Sequence, residues 1–372
     1  MNKQHNTFES LVTELFFKTS RFQFCLVLFL ISRLVIFYCF YYMGHPHNEL
    51  NYHLSDTFLR WDATWYFNIA SHGYGTSINY AMHQPYAYFP LYPLLTATLH
   101  SATGLSIILS GLFISNICFF IALYYFYCLL ATRGFLDKQI RFILLLLALS
   151  PANIYFTSMY TESLFLALSL AVLYFAFEHK WFRAFLLTGI LSATRPNGIA
   201  ILLPLALILY QDWQTHHKFR LSYFSVVISP LGLLGYMLYL HHHIGDAWAF
   251  KHAQAAWGRT GWHTSYFWGE FAYFFSSGRY DPFMILLAVG LFILYKRKLF
   301  PEFWYAVVMI APAFLSGRNY ALSRFVLTLF PMYIAYALPL QGKPYLKIAV
   351  LFLTVLLLGF YISGWVWSGF LF

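Results

Sequence analysis

A short stretch near residue 60 places one carboxylate among aromatic side chains, a combination suited to base catalysis. The stretch reads Arg60-Trp61-Asp62-Ala63-Thr64-Trp65-Tyr66. On a helix, Asp62, Trp65 and Tyr66 share one face because of their i, i+3, i+4 spacing. Burial among rings raises the pKa of a carboxyl group and makes its carboxylate a stronger base. The alternative is an aromatic anchor at the membrane surface, with Asp62 paired to Arg60 or capping a helix.

A second carboxylate lies in the sequence Tyr160-Thr161-Glu162-Ser163. Glu162 is the only charged residue of a very short loop between two apolar segments, so it must face water or a polar cavity. The alternative is structural: Thr161 or Ser163 caps the next helix, and Glu162 in its first turn suits the helix dipole.

Two arginines, Arg195 and Arg324, end apolar segments and form a third candidate. The planar guanidinium suits phosphate, although such arginines can also reach out to lipid headgroups. Arg195 begins the helix-breaking sequence Arg195-Pro196-Asn197-Gly198 inside the apolar stretch 184–210. Because non-helical backbone inside a membrane must be buried in protein or face water, we expect Arg195 to line a cavity.

The segment from Gly245 to Arg259 is a fourth candidate. Phe250, Gln254 and Trp257 share a helix face by i, i+4, i+7 spacing and could form a stacking platform with an amide for a sugar ring. A helix lying on the bilayer surface explains the pattern equally well. The nearby His241-His242-His243 run predicts no metal site, since consecutive helix residues diverge by about 100°; a divalent metal remains an alternative.

Composition decides which class of protein must position these residues. Of the 372 residues, 60% are hydrophobic and only 10% are charged, against roughly 25% in soluble domains. A soluble enzyme, a disordered chain and a nucleic-acid-binding domain are thereby excluded. We predict a single integral-membrane domain over residues 1–372, all-α and multi-pass. Its about ten apolar segments lie near 22–43, 105–131, 142–158, 162–178, 184–210, 221–240, 282–295, 302–316, 322–340 and 346–367.

The distribution of basic residues predicts the orientation of the chain. Lys and Arg outnumber Asp and Glu by more than two to one at one alternating set of segment ends, and the two balance at the other. The basic ends are therefore cytoplasmic, and the net charge of +10 reflects topology. The long segments 44–104 and 241–281 fall on the opposite side. Both are dense in aromatic residues and predict interfacial helices.

Together, these motifs resemble the PIG-V-like mannosyltransferases, which include the enzyme that adds the second mannose of glycosylphosphatidylinositol and its bacterial relatives. The matching elements span residues 30–340, in order: Arg60-Trp61-Asp62 with Trp65-Tyr66 and Gly73-Tyr74, Phe89-Pro90-Leu91-Tyr92-Pro93, Ser150-Pro151, Tyr160-Thr161-Glu162-Ser163, Arg195-Pro196-Asn197-Gly198, Gly245-Asp246 with Phe250, Gln254 and Trp257, and Arg324 with Phe330-Pro331.

The resemblance implies a GT-C glycosyltransferase that takes a sugar, typically mannose, from a polyprenyl-phosphate donor with inversion. It implies Asp62 as general base, with Asp56 as the second choice of carboxylate, and Arg195 and Arg324 as donor-phosphate ligands. Sugar or acceptor binding is expected from the remaining matched side chains: Arg60, Trp61, Trp65, Tyr66, Tyr160, Glu162, Asn197, Asp246, Gln254 and Trp257.

The short loops resemble the bacterial members, which implies a bacterial inner-membrane protein whose active site faces the periplasm or exterior. We expect membrane lipids and a lipid, glycan or protein acceptor as partners, with no cofactor and no nucleic acid. A transporter or flippase for a lipid-linked sugar is the principal alternative, since broken helices and charged groups within the membrane also mark transporters. A non-catalytic membrane scaffold is the third.

Overall fold

The described part of the chain folds entirely into helices. The computed structural model describes residues 19–43, 57–217, 220–259, 265, 268–269, 282–315 and 321–367, and within these ranges it contains no strand. The α-helices are α1 Arg21–Met43, α2 Asp62–His72, α3 Leu91–Thr103, α4 Ile107–Thr132, α5 Asp137–Ala148, α6 Asn153–Thr157, α7 Glu162–Phe177, α8 Trp181–Leu191, α9 Leu202–His216, α10 Leu231–Ile244, α11 Ala249–His252, α12 Pro282–Lys296, α13 Phe300–Leu315, α14 Leu322–Thr328, α15 Phe330–Ala337 and α16 Pro344–Trp367. Short 3-10 helices cover Pro85–Ala87, Pro196–Ile201, Leu221–Ile228, Ala253–Trp257 and Leu338–Leu340.

Four of the described helical segments are long and apolar enough to cross a membrane: Arg21–Tyr42, Ile107–Thr132, Leu221–Ile244 and Pro344–Val366. A fifth is possible if α14 and the helix after it, which bend by 68°, form one broken span. The helices α7, α8, α12 and α13 are apolar but shorter. An all-α integral membrane protein is therefore confirmed, whereas the total of about ten segments stays a prediction.

The core of the bundle is built on α4 and α7, which pack together more extensively than any other described pair of helices. Both are apolar around their whole circumference, as expected for helices that face either protein or a membrane on every side. The α6 residue Phe156 stacks on Phe119 of α4 with ring centroids 4.9 Å apart. The short helix before α7 is thereby held against the core, and it leads directly to Glu162.

The prediction of one span over 142–158 is wrong. Helix α5 ends at Ala148, and the five-residue helix α6 begins only at Asn153. Between them stands Ser150-Pro151, where the proline has no backbone N–H to donate and disfavours helical geometry at the preceding residue. This break turns residues 153–161 into a buried segment that ends at the candidate site.

The predicted helix break at Arg195 is confirmed. Helix α8 ends at Leu191, and a 3-10 helix over Pro196–Ile201 connects it to α9. Gly198 allows a close approach here, because a Cβ at this position would stand 2.6 Å from the carbonyl oxygen of Leu191. The backbone around Arg195 is therefore packed tightly against the end of α8.

The two long segments predicted to carry interfacial helices are described in part. Within 44–104 the structure contains α2, the 3-10 helix Pro85–Ala87 and α3, and within 241–281 it contains the end of α10, α11 and a 3-10 helix. Residues 44–56 and most of 260–281 lie outside the described residues, as does Asp56. The placement of these helices at a membrane surface stays a prediction.

Candidate active site

The beginning of α2 is anchored to the far end of the chain. Trp61, directly before the helix, has a positive φ of 51°, which L-residues seldom adopt and which marks local strain. Its ring meets that of Trp365 edge-to-face, with centroids 4.4 Å apart. The Trp365 indole in turn donates to the carbonyl of Thr57 over 2.7 Å. The end of α16 therefore fixes the point at which Asp62 begins α2.

Asp62 forms an ion pair with an arginine from a distant helix. Its Oδ2 lies 2.5 Å from an NH1 nitrogen of Arg324, and its Oδ1 accepts a 2.9 Å hydrogen bond from the Tyr88 hydroxyl. Burial alone would raise the pKa of Asp62, but Arg324 and Tyr88 together hold this pKa below its usual value. The expected rise in pKa is therefore wrong, because Arg324 stabilises the carboxylate.

Tyr88 joins the residues predicted to share one face of α2. Its ring stacks on Trp65 at 5.6 Å and an interplanar angle of 15°, and it meets Tyr66 edge-to-face at 5.2 Å. The shared face of Asp62, Trp65 and Tyr66 is confirmed. Burial raises the pKa of Tyr66 to about 12, so its hydroxyl stays protonated at neutral pH. Tyr88 itself directly precedes the Phe89–Pro93 motif but was not among the predicted site residues.

Glu162 bridges the two arginines. Its Oε1 lies 2.6 Å from an NH2 nitrogen of Arg195 and also accepts from Arg324, and its side chain is only 1% exposed. Its Oε2 is buried and has no hydrogen-bond partner in the described part of the chain. Most buried polar atoms in native proteins are paired. The unpaired Oε2 is therefore free to accept a hydrogen bond from a bound ligand.

The predicted helix caps at Thr161 and Ser163 are wrong. No side chain caps the start of α7. The Thr161 Oγ1 instead accepts a 2.7 Å hydrogen bond from Nε of Arg195, and the Ser163 hydroxyl donates to the carbonyl of Phe156. The polar residues before α7 therefore position the arginine and the loop.

Arg195 lines a cavity, as predicted from the helix break. The cavity has a volume of about 30 Å³, enough for one water molecule. The residues around it are Glu162, Phe165, Leu166, Arg195, Asn197, Tyr305, Met309, Phe325, Thr328 and Leu329. Asn197 therefore lies beside Glu162 and Arg195 of the ion network, and Asp62 is not among the residues that line this cavity.

Tyr160 and Arg60 make contacts that support the ion network. The Arg324 guanidinium lies over the Tyr160 ring, 4.6 Å from its centroid, and the Tyr160 hydroxyl donates to the carbonyl of Arg60. The Arg60 side chain donates to the carbonyl of Trp365, at 2.5 Å. The alternative in which Asp62 pairs with Arg60 is wrong, because Arg60 neutralises the carbonyl end of α16 instead.

The expected aromatic-plus-amide face on residues 250–257 is not present. The α-helix ends at His252 and continues as a 3-10 helix, whose tighter winding separates the three positions. Phe250 packs against Phe89, with ring centroids 5.4 Å apart. Trp257 approaches Tyr88 at 6.2 Å and so reaches the site, while the Gln254 amide accepts from Arg259.

Asp246 lies in a separate group of bonds. It accepts from the Tyr80 hydroxyl at 2.5 Å, contacts His252 at 2.7 Å and caps the backbone of Trp248. These contacts tie the loop before α3 to α11. In the described part of the chain, none of its hydrogen bonds reaches the Asp62–Arg324 network, so sugar binding by Asp246 stays a prediction.

No metal-binding group is found among the described residues: no three His, Cys, Asp or Glu side chains come close enough to share an ion. Of the three consecutive histidines, His243 bonds to the carbonyl of Tyr74 and stacks on Tyr239. Activity without a divalent metal stays a prediction.

The fold and this ion network define an all-helical integral membrane protein with a carboxylate–arginine site at one end of the bundle. Residues 44–360 match the profile of the family described as Mannosyltransferase (PIG-V), and the chain belongs to this family. The resemblance drawn from the motifs is thereby confirmed. Among curated proteins, no sequence matches the chain.

Solved structures give the fold independently. The chain is similar to ArnT from Cupriavidus metallidurans, crystallised with undecaprenyl phosphate, with a TM-score of 0.56 and 14% identity over 88% of this chain. It spans 62% of the length of ArnT. The Archaeoglobus fulgidus oligosaccharyltransferase, in complex with Zn and sulfate, aligns with a TM-score of 0.47 and 13% identity, over 90% of this chain and 53% of that chain. The GT-C-like fold is confirmed by the first similarity.

Proposed function

We propose that this protein is an inverting glycosyltransferase that moves a sugar, with mannose as the first choice, from a polyprenyl-phosphate donor to an acceptor hydroxyl on the non-cytoplasmic side. Asp62 is the general base. Family membership supports the reaction class, and the ArnT structure shows that a protein of similar fold binds a polyprenyl phosphate.

The observation that carries this proposal is the convergence of Asp62, Arg324, Glu162 and Arg195 from four separate elements. A carboxylate next to arginines supplies a proton acceptor and a phosphate-binding group within one site. The network is built on the bundle core and on α16, so its geometry is held by packing. Catalysis requires rigid support of this kind, because the reacting groups must be held in a fixed orientation.

In the proposed reaction, the acceptor hydroxyl gives its proton to the Asp62 carboxylate while its oxygen attacks the anomeric carbon of the donor. The bond from that carbon to the phosphate oxygen breaks, and the polyprenyl phosphate leaves with the bonding electrons. Arg195 and Arg324 stabilise the negative charge that grows on this phosphate. Trp65, Tyr66, Tyr160 and Trp257 are assigned to sugar or acceptor binding.

The position of the network along α7 supports the proposed side of the membrane. Glu162 begins this helix of 16 residues, which is about 24 Å long. The basic residue Lys180 follows the other end of the helix. Because basic residues concentrate in cytoplasmic loops, the Asp62 end is assigned to the opposite side.

The test uses the full chain in liposomes with radiolabelled polyprenyl-phosphate mannose and a membrane-lipid extract as acceptor. Wild type and Asp62→Asn are compared, with and without a chelator. We expect label to move into a new product with wild type alone, and the chelator arm reports whether a divalent metal takes part. Glu178→Gln, at the opposite end of α7, is the matched control for loss of a carboxylate and should transfer normally.

Transport of the donor with its glycosidic bond intact would favour the flippase alternative. No transfer with any tested sugar and acceptor, together with donor binding that Asp62→Asn leaves unchanged, would favour a scaffold.

A further inference from the structure

The charges of the ion network balance before any donor binds. In the described residues, the carboxylates of Asp62 and Glu162 are matched by the guanidinium groups of Arg195 and Arg324. A donor phosphodiester brings one more negative charge, and the phosphate gains another as it leaves. A buried anion is costly unless a cation matches it, so the site needs a further positive group.

Arg259 is a third guanidinium beside this network. It follows the 3-10 helix Ala253–Trp257, and its guanidinium lies 6.0 Å from the ring centroid of Phe325, the residue next to Arg324. Burial lowers its pKa, and Asp62 raises it, as expected for a cation close to that carboxylate.

One hydrogen-bonding group of Arg259 is buried and unpaired in the described part of the chain. Its Nη1 donates a long hydrogen bond of 3.3 Å to the amide oxygen of Gln254, whereas its buried Nε has no partner among the described residues. By contrast, Arg195 and Arg324 are both bound to carboxylates, and Arg60 is bound to the end of α16. A partly buried guanidinium whose Nε–H group is unpaired has room for an anionic partner.

We propose that Arg259 holds the phosphate group of the polyprenyl donor, together with Arg324, and supplies the positive charge that the balanced network lacks. This assignment rests on the proposed function and names a third arginine of its site. Gln254 positions the Arg259 guanidinium through its amide, which gives this residue a role that does not require direct contact with sugar.

The test measures equilibrium binding of two matched lipids, undecaprenyl phosphate and undecaprenol, to the full chain in nanodiscs. Comparing the phosphate with the alcohol isolates the charge, because the polyprenyl tail is the same. We expect Arg259→Gln to weaken phosphate binding by about tenfold or more, the effect of losing charged hydrogen bonds, and to leave alcohol binding unchanged. Arg259→Lys should retain most of the preference for phosphate, and Lys251→Gln, an exposed residue of α11, should retain all of it.

Two results would overturn the assignment. One is unchanged binding of undecaprenyl phosphate by Arg259→Gln. The other is equally weakened binding of both lipids, because that would show that Arg259 has a structural role only. A wild-type protein that binds the phosphate no better than the alcohol would contradict the proposed function itself. The experiment therefore distinguishes failure of the Arg259 assignment from failure of the proposed function.

Discussion

Arg324 joins two carboxylates that come from different parts of the chain. Its NH1 nitrogen lies 2.5 Å from Oδ2 of Asp62, 262 residues away in sequence, while the rest of its guanidinium contacts Glu162. The proposed base is therefore held by a cation that is also proposed to bind the donor phosphate. Donor binding must then compete with Asp62 for Arg324, and the released carboxylate becomes the stronger base.

This competition predicts opposite effects of Asp62→Asn on catalysis and on binding. Transfer should fall by about 100-fold or more, the usual contribution of a general base. Binding of undecaprenyl phosphate should tighten several-fold, because the neutral amide no longer occupies Arg324. Equilibrium binding in nanodiscs and single-turnover transfer give the two values. The control variant Glu178→Gln, at the other end of α7, should change neither value. Weaker binding by Asp62→Asn would contradict the competition.

The lowered pKa of Asp62 predicts how activity depends on pH. Because this pKa lies below its usual value, Asp62 stays ionised to a lower pH than an ordinary aspartate. The acidic limb of the pH profile for kcat/KM should therefore lie below the pH at which an ordinary aspartate titrates. Tyr88→Phe removes a hydrogen bond to the carboxylate but keeps the ring, and it should move this limb to higher pH. An unmoved limb would mean that Tyr88 does not stabilise the ionised form.

The same shift contributes to stability. A carboxyl group whose pKa is lower in the folded state than in the unfolded state stabilises the fold above its unfolded pKa, and this contribution is lost as the pH falls through the folded value. Thermal unfolding of wild type and Asp62→Asn, followed from pH 7 to pH 3, should therefore converge at the acidic end. Parallel curves would contradict this linkage.

Glu162→Gln should be strongly destabilising. The substitution leaves the partly buried guanidinium groups of Arg195 and Arg324 without the buried carboxylate that they share. Removing one member of a buried ion pair costs about 3 kcal/mol or more of unfolding free energy. Denaturant unfolding in detergent measures the loss. Glu178→Gln, a half-buried surface carboxylate at the other end of α7, should change the unfolding free energy little.

Gly198→Ala should disturb the network by a steric route. The new Cβ would stand 2.6 Å from the Leu191 carbonyl oxygen, a backbone atom that cannot move aside, so the 3-10 helix carrying Arg195 must shift. We expect a loss of about 1–3 kcal/mol in unfolding free energy and slower transfer. Gly235→Ala on α10 is the matched control, because its Cβ would meet nothing within 4 Å. Similar behaviour of the two variants would contradict the proposed packing.

Several features of the site were predictable because they depend on local sequence. The helix that carries Asp62, the shared face with Trp65 and Tyr66, and the break at Arg195 all follow from spacing over a few residues and from one proline. The arrangement of residues 250–257 was not predictable in this way. The expected aromatic face is absent, since a change from α to 3-10 winding at His252 alters the angle between positions.

The roles of Tyr88 and Arg259 depended on packing. Each stands at the edge of a motif, next to Phe89 and two residues after Trp257, and this adjacency is the only signal in the sequence that points to them. Their positions depend on elements far apart in the chain: Tyr88 donates to Asp62 of α2, and Arg259 lies against Phe325, the neighbour of Arg324 on α14.

The sequence alone determined that the protein lies in a membrane, which segments are apolar, and which few charged residues must be partnered. Hydropathy is a sum over neighbouring residues, so these properties need no knowledge of the fold. Tertiary structure decided which charges pair: Asp62 with Arg324 and not with Arg60, and Glu162 with both arginines. Ion pairing depends on the distance between atoms in space, and for residues 262 positions apart only the packing of helices sets that distance.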